Sequence, residues 1–348
     1  KEFRQEFERL SELNTLMGKG IRSMKNGDVD NAFESFRIAY EKFPQYPESV
    51  FNMGLTHFRN KDFSEAVNYF NKTIEINPDH KNALTAIKNV AKNFFNKGNQ
   101  LYKRGDLEGA LSSYDEVLSV DKTFYQAHFQ VGVIQSKMGN KDSAVQSYEK
   151  SIKINPQFYK AYFALGLAKN SNNDSNGALD ALQAAIDINP SYDKAYGAMG
   201  DIYIQQKDYE KAKQTLKMAT TVNPNYSKGY ANLGVIYSEE EDWNQAISSL
   251  EMAVALNDRD AMSYFRLSGA HNMNGDCSSA LSAARRSTEL KNRFGGGWFE
   301  LGAAEWCNGS GNKAGALNAF EKARNDRSWR KMAEYEIDKI KNPQKYVK

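Results

Sequence analysis

One pattern of residues recurs every 34 positions within each of two stretches of the chain. It consists of an Ala, an aromatic residue or Leu four positions later, and a Pro twelve positions after the Ala. The complete copies are Ala32, Phe36, Pro44; Ala66, Phe70, Pro78; Ala144, Tyr148, Pro156; Ala178, Leu182, Pro190; and Ala212, Leu216, Pro224. Copies that lack the Pro begin at Ala110, Ala246, Ala280 and Ala316. A fixed period of this length predicts an array of stacked supersecondary units.

A small residue lies about twelve positions before each of these alanines. It is Gly20, Gly54, Gly98, Gly132, Gly166, Gly200, Gly234 and Gly302, with Ser268 in one copy. Leu or Met often precedes it, and an aromatic residue often lies four positions before it. Gly inside a helix costs about 1 kcal/mol relative to Ala, so its recurrence indicates a position where two helices approach closely.

These features read W-x-x-L-G-x-x-Y, followed by A-x-x-x-F and Pro, and the pattern resembles the tetratricopeptide repeat (TPR) family, whose unit is a 34-residue helix–turn–helix. The resemblance covers nearly the whole chain. It implies an all-α fold: a right-handed superhelical solenoid of about nine TPR repeats with terminal capping helices. The nine repeats are assigned to 13–46, 47–80, 91–124, 125–158, 159–192, 193–226, 227–260, 261–294 and 295–330.

The expected organisation is an N-terminal capping helix at 1–12, a TPR array at 13–330, and a C-terminal capping helix and tail at 331–348. Residues 81–90 continue a helical pattern without a breaker, so we expect them to lengthen the first helix of the third repeat. Three consecutive glycines at 295–297 open the ninth repeat, where a bend or hinge is expected.

Charge and hydropathy exclude two classes of partner. The 46 basic and 43 acidic residues are spread along the chain and leave a formal net charge of +3, too little for a large phosphate-binding field. No nucleic-acid partner is therefore expected. No apolar run reaches the 18 residues of a membrane span, so no direct membrane insertion by this chain is expected.

The chain begins at Lys1, which implies that an N-terminal segment was removed. Localisation is therefore left open, with the cytoplasm preferred and a periplasmic or exported protein as the alternative.

The two cysteines, Cys277 and Cys307, are too few for a disulfide framework and lack the C-x-x-C spacing. We expect two unpaired thiols. Because each falls near the same end of the first helix in neighbouring repeats, a bridge between them stays open as the alternative, and it would imply an oxidising compartment.

No motif for catalysis, a cofactor or a metal is present, so we expect a protein that is not an enzyme and holds neither cofactor nor metal. The four histidines are scattered over different repeats and form no metal-ligand pair. The tripeptide Arg104-Gly105-Asp106 and the polar stretch 171–177 both fall between the helices of a pair, and both are interpreted as turns.

The family resemblance implies a binding surface on the first helices, at the second, fifth, ninth, twelfth and thirteenth positions of each repeat. The fifth position is Phe in six repeats: Phe51, Phe95, Phe129, Phe163, Phe265 and Phe299. The ninth is often aliphatic, as Leu55, Val133, Leu167 and Val235. Lysines at the second position are Lys92, Lys160, Lys194 and Lys228. Together they predict an apolar concave groove with a positive rim, suited to an acidic, apolar helix or peptide.

Two known TPR binding modes fit less well. A chaperone-tail carboxylate clamp finds only two of its five residues in the first three repeats. An asparagine ladder at the sixth position is incomplete, with Asn52, Asn96 and Asn232. The aromatic fifth position is also common in the family, so packing between helices is the competing interpretation for the phenylalanines.

The leading hypothesis is a protein–protein interaction scaffold or adaptor that binds a partner helix or extended peptide in its concave groove. One alternative is a self-assembling structural TPR protein, in which the apolar ladder of one copy binds the N-terminal helix of another through Phe3, Phe7 and Leu10. The other is the substrate-recruiting portion of an enzyme whose catalytic domain is absent from this chain. Homo-oligomerisation is thus left open, and the partner's identity is not predicted.

Overall fold

A computed structural model describes residues 2–309 and 311–346, with all of their side chains except those of residues 2, 3 and 308. Within these residues the chain forms 19 α-helices and no β-strand. The earlier helices are α1 (Glu2–Lys25), α2 (Val29–Lys42), α3 (Pro47–Arg59), α4 (Phe63–Ile76), α5 (Lys81–Lys103), α6 (Leu107–Val120), α7 (Tyr125–Lys137), α8 (Lys141–Ile154), α9 (Tyr159–Ser171) and α10 (Ser175–Ile188). The later ones are α11 (Asp193–Gln205), α12 (Tyr209–Val222), α13 (Ser227–Glu239), α14 (Trp243–Leu256), α15 (Ala261–Met273), α16 (Cys277–Leu290), α17 (Gly295–Trp306), α18 (Lys313–Ala323) and α19 (Arg330–Lys341). The expected all-α fold is confirmed.

The helices form two compact units, Lys1–Ala161 (unit 1) and Tyr162–Lys348 (unit 2). In both, an odd-numbered first helix packs against the even-numbered second helix that follows it, as α3 does on α4 and α13 on α14. In unit 2 the first helices also lie side by side, α11 against α13, α13 against α15, and α15 against α17. Consecutive helix pairs therefore form the repeats, as the 34-residue period predicts.

In most pairs, the turn between the two helices places a left-handed residue directly before a capping side chain. Gly105 has a φ of +85°, and the side chain of Asp106 accepts a hydrogen bond from the backbone N of Gly109 at 2.9 Å. Asp174 caps α10 in the same way, on Gly177. Such caps satisfy the unpaired N–H groups of the first helical turn. The interpretation of both sequence stretches as turns is confirmed.

The recurring Gly is explained by one large side chain of the second helix. A Cβ built on Gly54 would lie 2.6 Å from Cε1 of Phe70, closer than any stable contact. Phe70 lies sixteen positions after the Gly, and the equivalent side chain is also fully or nearly fully buried in the other pairs: Phe36, Tyr114, Tyr148, Leu182, Leu216, Leu250 and Phe320. The small residue lets this side chain fill the space between the two helices.

The eighth repeat shows the same rule with the sizes exchanged. Ser268 occupies the Gly position and is fully buried, and its partner sixteen positions later is the small Ala284. The space that a large residue fills elsewhere is taken by the Ser268 hydroxyl, which donates to the backbone O of Ala280 at 2.8 Å.

The predicted N-terminal cap, residues 81–90 and the three glycines 295–297 all lie in regular helices. Helix α1 runs without a break from the predicted cap into the first repeat, and residues 81–90 lie in the 23-residue helix α5. The three glycines 295–297 form the first turn of α17 and are buried. A Cβ on Gly296 would lie 2.9 Å from Trp329, so close packing accounts for the absence of side chains there. The domain bounds and the hinge stay predictions.

Cys277 and Cys307 form a disulfide, with their Cα atoms 5.6 Å apart. The expectation of unpaired thiols is therefore wrong. Cys277 begins α16, the second helix of its pair, whereas Cys307 follows the end of α17, the first helix of the next pair. The stacking of α16 on α17 brings these two ends together across 30 residues of sequence, which spacing along the chain does not show.

Candidate functional site

The six fifth-position phenylalanines are half-buried and pack against other aromatic side chains. Each ring contacts an aromatic side chain at 5.0–5.7 Å between centroids, on the second helix or just before the next first helix. In unit 1, Phe51 contacts Phe70 and His80, Phe95 contacts Tyr114 and Phe124, and Phe129 contacts Tyr148 and Phe158. In unit 2, Phe163 contacts Tyr192, Phe265 contacts Phe294, and Phe299 contacts Phe320. Packing thus accounts for much of each ring's surface, and a binding role for the set stays a prediction.

The ninth-position side chains differ in exposure. Leu55 packs on the core beside Phe51 and Phe95, and Val133 is half-buried. Leu167 is 46% exposed, which is unusual for a leucine on a helix with buried neighbours on either side. Val235 lines a cavity in unit 2, described below.

The second-position lysines Lys92, Lys160, Lys194 and Lys228 are all exposed. Lys228 is neutralised, however, because its Nζ lies 2.5 Å from Oδ2 of Asp201. The other oxygen of Asp201 accepts a hydrogen bond from Nδ2 of Asn232, also at 2.5 Å. Asp201 is the ninth residue of the sixth repeat. It therefore adds an acidic group to the surface for which the sequence predicted a positive rim.

The other two asparagines of the incomplete ladder do not form a common row of donors. Asn52 donates to the backbone O of Glu48 one turn earlier in its own helix, at 2.7 Å. Asn96 is exposed. Asn232 is thus the one member of the three that bonds to the side chain of another repeat.

A cavity of about 370 Å³ lies between three first helices of unit 2, α13, α15 and α17. Its apolar wall includes Val235, Phe265 and Phe299, three of the predicted residues, together with Trp243 and Met273. The cavity exists because the ninth positions of the eighth and ninth repeats are small, Gly269 and Ala303. The sequence contains a signal of this cavity, because a small residue follows the fifth-position Phe by four positions in both repeats, Gly269 after Phe265 and Ala303 after Phe299. The predicted surface included only the aliphatic ninth positions.

A carboxyl group faces this cavity. Glu300, at the sixth position of α17, is half-buried, and its Oε2 accepts a hydrogen bond from Nδ2 of Asn272 at 2.7 Å. Burial raises the pKa of Glu300 to about 7, and the bond from Asn272 only partly opposes that rise. Arg266 lines the same cavity, where burial lowers its pKa against the attraction of Asp260.

Antiparallel helix pairs that repeat along the chain, with a surface built from the first helix of each, define a helical-repeat protein of the kind that binds other proteins. Models of the tetratricopeptide repeat match residues 47–80, 125–158, 171–234 and 230–262, and a TPR repeat model matches 98–139. Together these matches cover more than half of the sequence. The chain belongs to the tetratricopeptide repeat family.

A curated relative is a TPR repeat-containing protein of Methanocaldococcus jannaschii, 26% identical in a match that covers 35% of this chain. The chain spans only 29% of that relative's length.

Among solved structures, the C-terminal part of a TPR repeat-containing protein from Cytophaga hutchinsonii gives a TM-score of 0.57 at 15% identity, covering 69% of this chain and 97% of that one. PilF of Pseudomonas aeruginosa gives 0.54 at 17% identity, covering 62% and 98%. At these identities the likeness concerns the fold.

Proteins of this family bind other proteins, and both the family and the fold are generally non-catalytic. The fold is therefore that of a protein-interaction scaffold. Along residues 2–309 and 311–346, none of the helices combines the length and the apolar character needed to cross a membrane.

Proposed function

We propose that this chain holds a segment of another protein on the first-helix face of unit 2, the surface formed by α11, α13, α15 and α17, and that the cavity anchors one of its side chains. The observation that carries the proposal is the cavity itself, which lies between adjacent first helices and has an aromatic wall. Concave sites of about 300–1,000 Å³ with mostly apolar walls and a few polar groups are typical ligand sites.

The same geometry explains why a helix or an extended peptide suits this surface. A partner that lies across successive first helices meets one repeat after another, and a buried anchor contributes most of the binding energy at such interfaces. Burial of one large apolar side chain is worth roughly 1.5–3 kcal/mol.

The test is a selection of random 12-residue peptides displayed on phage against the purified chain, followed by calorimetry with the enriched peptides. Val235→Phe fills the cavity and is expected to weaken binding at least tenfold. Val133→Phe is the matched control, because it makes the same change at a ninth position in unit 1. Equal affinity for wild type and Val235→Phe, with both variants folded by circular dichroism, would contradict the proposal.

A second candidate, self-assembly, is favoured by one observation on α1. Phe7 and Leu10 are 67% and 51% exposed and lie on one side of the helix. The side chain of Phe3, the third residue of that predicted face, lies outside the described residues. Sedimentation velocity of wild type against Phe7→Glu, Leu10→Glu tests this, with Leu84→Glu as a control at another exposed leucine. A monomeric wild type would exclude this candidate at the concentration measured.

A further inference from the structure

The cavity between α13, α15 and α17 combines its apolar wall with charged side chains, Glu239, Arg266 and Glu300. We propose, building on the proposed function, that it receives a basic side chain, lysine or arginine, of the bound segment, and that the carboxylate of Glu300 accepts the hydrogen bond of that cation. The proposal rests on four features of the cavity.

The first feature is an open acceptor. Asn272 donates to Oε2 of Glu300 at 2.7 Å and to its backbone O at 3.2 Å, so α15 fixes the position of the side chain. Among the described residues, nothing donates a hydrogen bond to Oε1. Oε1 can therefore accept a hydrogen bond from an incoming N–H group without breaking a bond inside the protein.

The second feature is that the chain's own cation in the cavity does not neutralise this carboxylate. Arg266 lines the same cavity from α15, yet no ion pair within 4 Å joins it to Glu300. The charge that acts on Arg266 is Asp260, the N-cap residue of its own helix. Glu300 is therefore left to a cation from outside.

The third feature is the sign of the cavity as a whole. Glu239 lines it from the end of α13, where its side chain is exposed at the rim. Two carboxyl groups and one guanidinium thus line the cavity. This charge balance favours a basic over an acidic side chain.

The fourth feature is the wall. Trp243, Phe265 and Phe299 surround the space with aromatic rings, and Met273 and Val235 add aliphatic surface. Lysine and arginine carry an apolar stem below the charged group, which can lie along such a wall while the cation reaches a carboxylate. Aromatic faces also attract cations directly.

The test uses fluorine NMR of the full chain labelled with 5-fluorotryptophan. The sequence has four tryptophans, so the spectrum has few signals, and Trp243→Phe assigns the one in the cavity. The probes are pentylammonium, which copies the lysine side chain, pentanol, which has a similar stem without the charge, and hexanoate, which carries the opposite charge. A ligand this small is expected to bind at millimolar concentration.

Pentylammonium is expected to shift the Trp243 signal and to bind at least about tenfold more tightly than pentanol. Glu300→Gln, which keeps the shape and the acceptor for Asn272, is expected to abolish that difference, and Glu239→Gln to reduce it less. Equal binding of pentylammonium and pentanol, no shift with either, or preferential binding of hexanoate would each overturn the proposal. These outcomes are independent of the peptide selection, so failure here leaves the proposed function standing if the selected peptides respond to Val235→Phe.

Discussion

Asn272 and Glu300 join two adjacent first helices, with Nδ2 of the asparagine 2.7 Å from Oε2 of the carboxyl group, 28 residues further along the chain. The bond holds a titratable group in an aromatic cavity, where Asn272 is its one side-chain donor among the residues that the structure describes. Glu300 is therefore a residue through which pH is expected to affect the stability of unit 2 and the binding that we propose for it.

Stability is expected to fall as the pH rises from about 4.5 to about 7, as far as Glu300 determines it. Its pKa is about 7 in the folded chain against an ordinary value of 4.5, so the folded state keeps a proton that the unfolded state has released. Glu300→Gln should match wild type below pH 4.5 and exceed its free energy of unfolding by up to roughly 3 kcal/mol at pH 8.

Urea titrations followed by tryptophan fluorescence test this, because all four tryptophans lie in unit 2. Glu239→Gln is the control, since it removes the other carboxyl of the cavity, the one at the exposed rim beside Arg266. If the difference in free energy of unfolding between wild type and Glu300→Gln stays constant from pH 4 to pH 8, then burial does not raise the pKa of Glu300.

Reduction of the disulfide is expected to destabilise unit 2. Cys277 and Cys307 close a loop of 30 residues, and a cross-link of that length typically contributes about 2–4 kcal/mol, mainly by restricting the unfolded chain. A reductant such as TCEP should therefore lower the Tm by roughly 5–15 °C. The Cys277→Ser, Cys307→Ser variant should have the Tm of reduced wild type and should not respond to the reductant. An unchanged Tm on reduction would contradict the prediction.

Two glycines of α1 should respond in opposite ways to the same change. A methyl group at Gly20 would overlap the ring of Phe36, whereas nothing lies within 4 Å of that position at Gly18. We expect Gly20→Ala to destabilise unit 1 by about 1–3 kcal/mol. Gly18→Ala should stabilise it by roughly 0.5–1 kcal/mol, because Ala favours the helix. Urea unfolding followed by circular dichroism measures both, and equal effects would contradict the packing explanation of the repeated Gly.

The exchanged sizes in the eighth repeat predict a coupled pair. Ala284→Leu alone should destabilise unit 2, because Ser268 and its bond to Ala280 occupy the space that Leu would need. Ser268→Gly alone should also cost about 1 kcal/mol or more, since it removes that bond and leaves a void. The double variant restores the combination found in the other repeats and is expected to be more stable than either single one. Additive losses would show that the two positions are independent.

The sequence by itself determined the helix pairs, their order and the turns between them. The pattern of Gly54 with Phe70, or of Gly105 with Asp106, records contacts within one repeat, and these recur every 34 residues because each repeat solves the same packing problem. That is why local patterns were sufficient to place the helices and to identify the family.

Only the tertiary structure decided which of the predicted residues line a cavity and which pack against neighbouring side chains. Phe129 and Phe265 occupy the same position in the repeat. Phe129 packs on Tyr148 and Phe158, whereas Phe265 also lines the cavity of unit 2, where Gly269 and Ala303 leave space beside it. The pairing of Cys277 with Cys307, of Lys228 with Asp201 and of Asn272 with Glu300 depends on how neighbouring repeats stack. Each of these pairs joins groups about 30 residues apart, in neighbouring repeats. Such contacts depend on how one helix pair packs on the next, and the residue pattern within one repeat does not specify this.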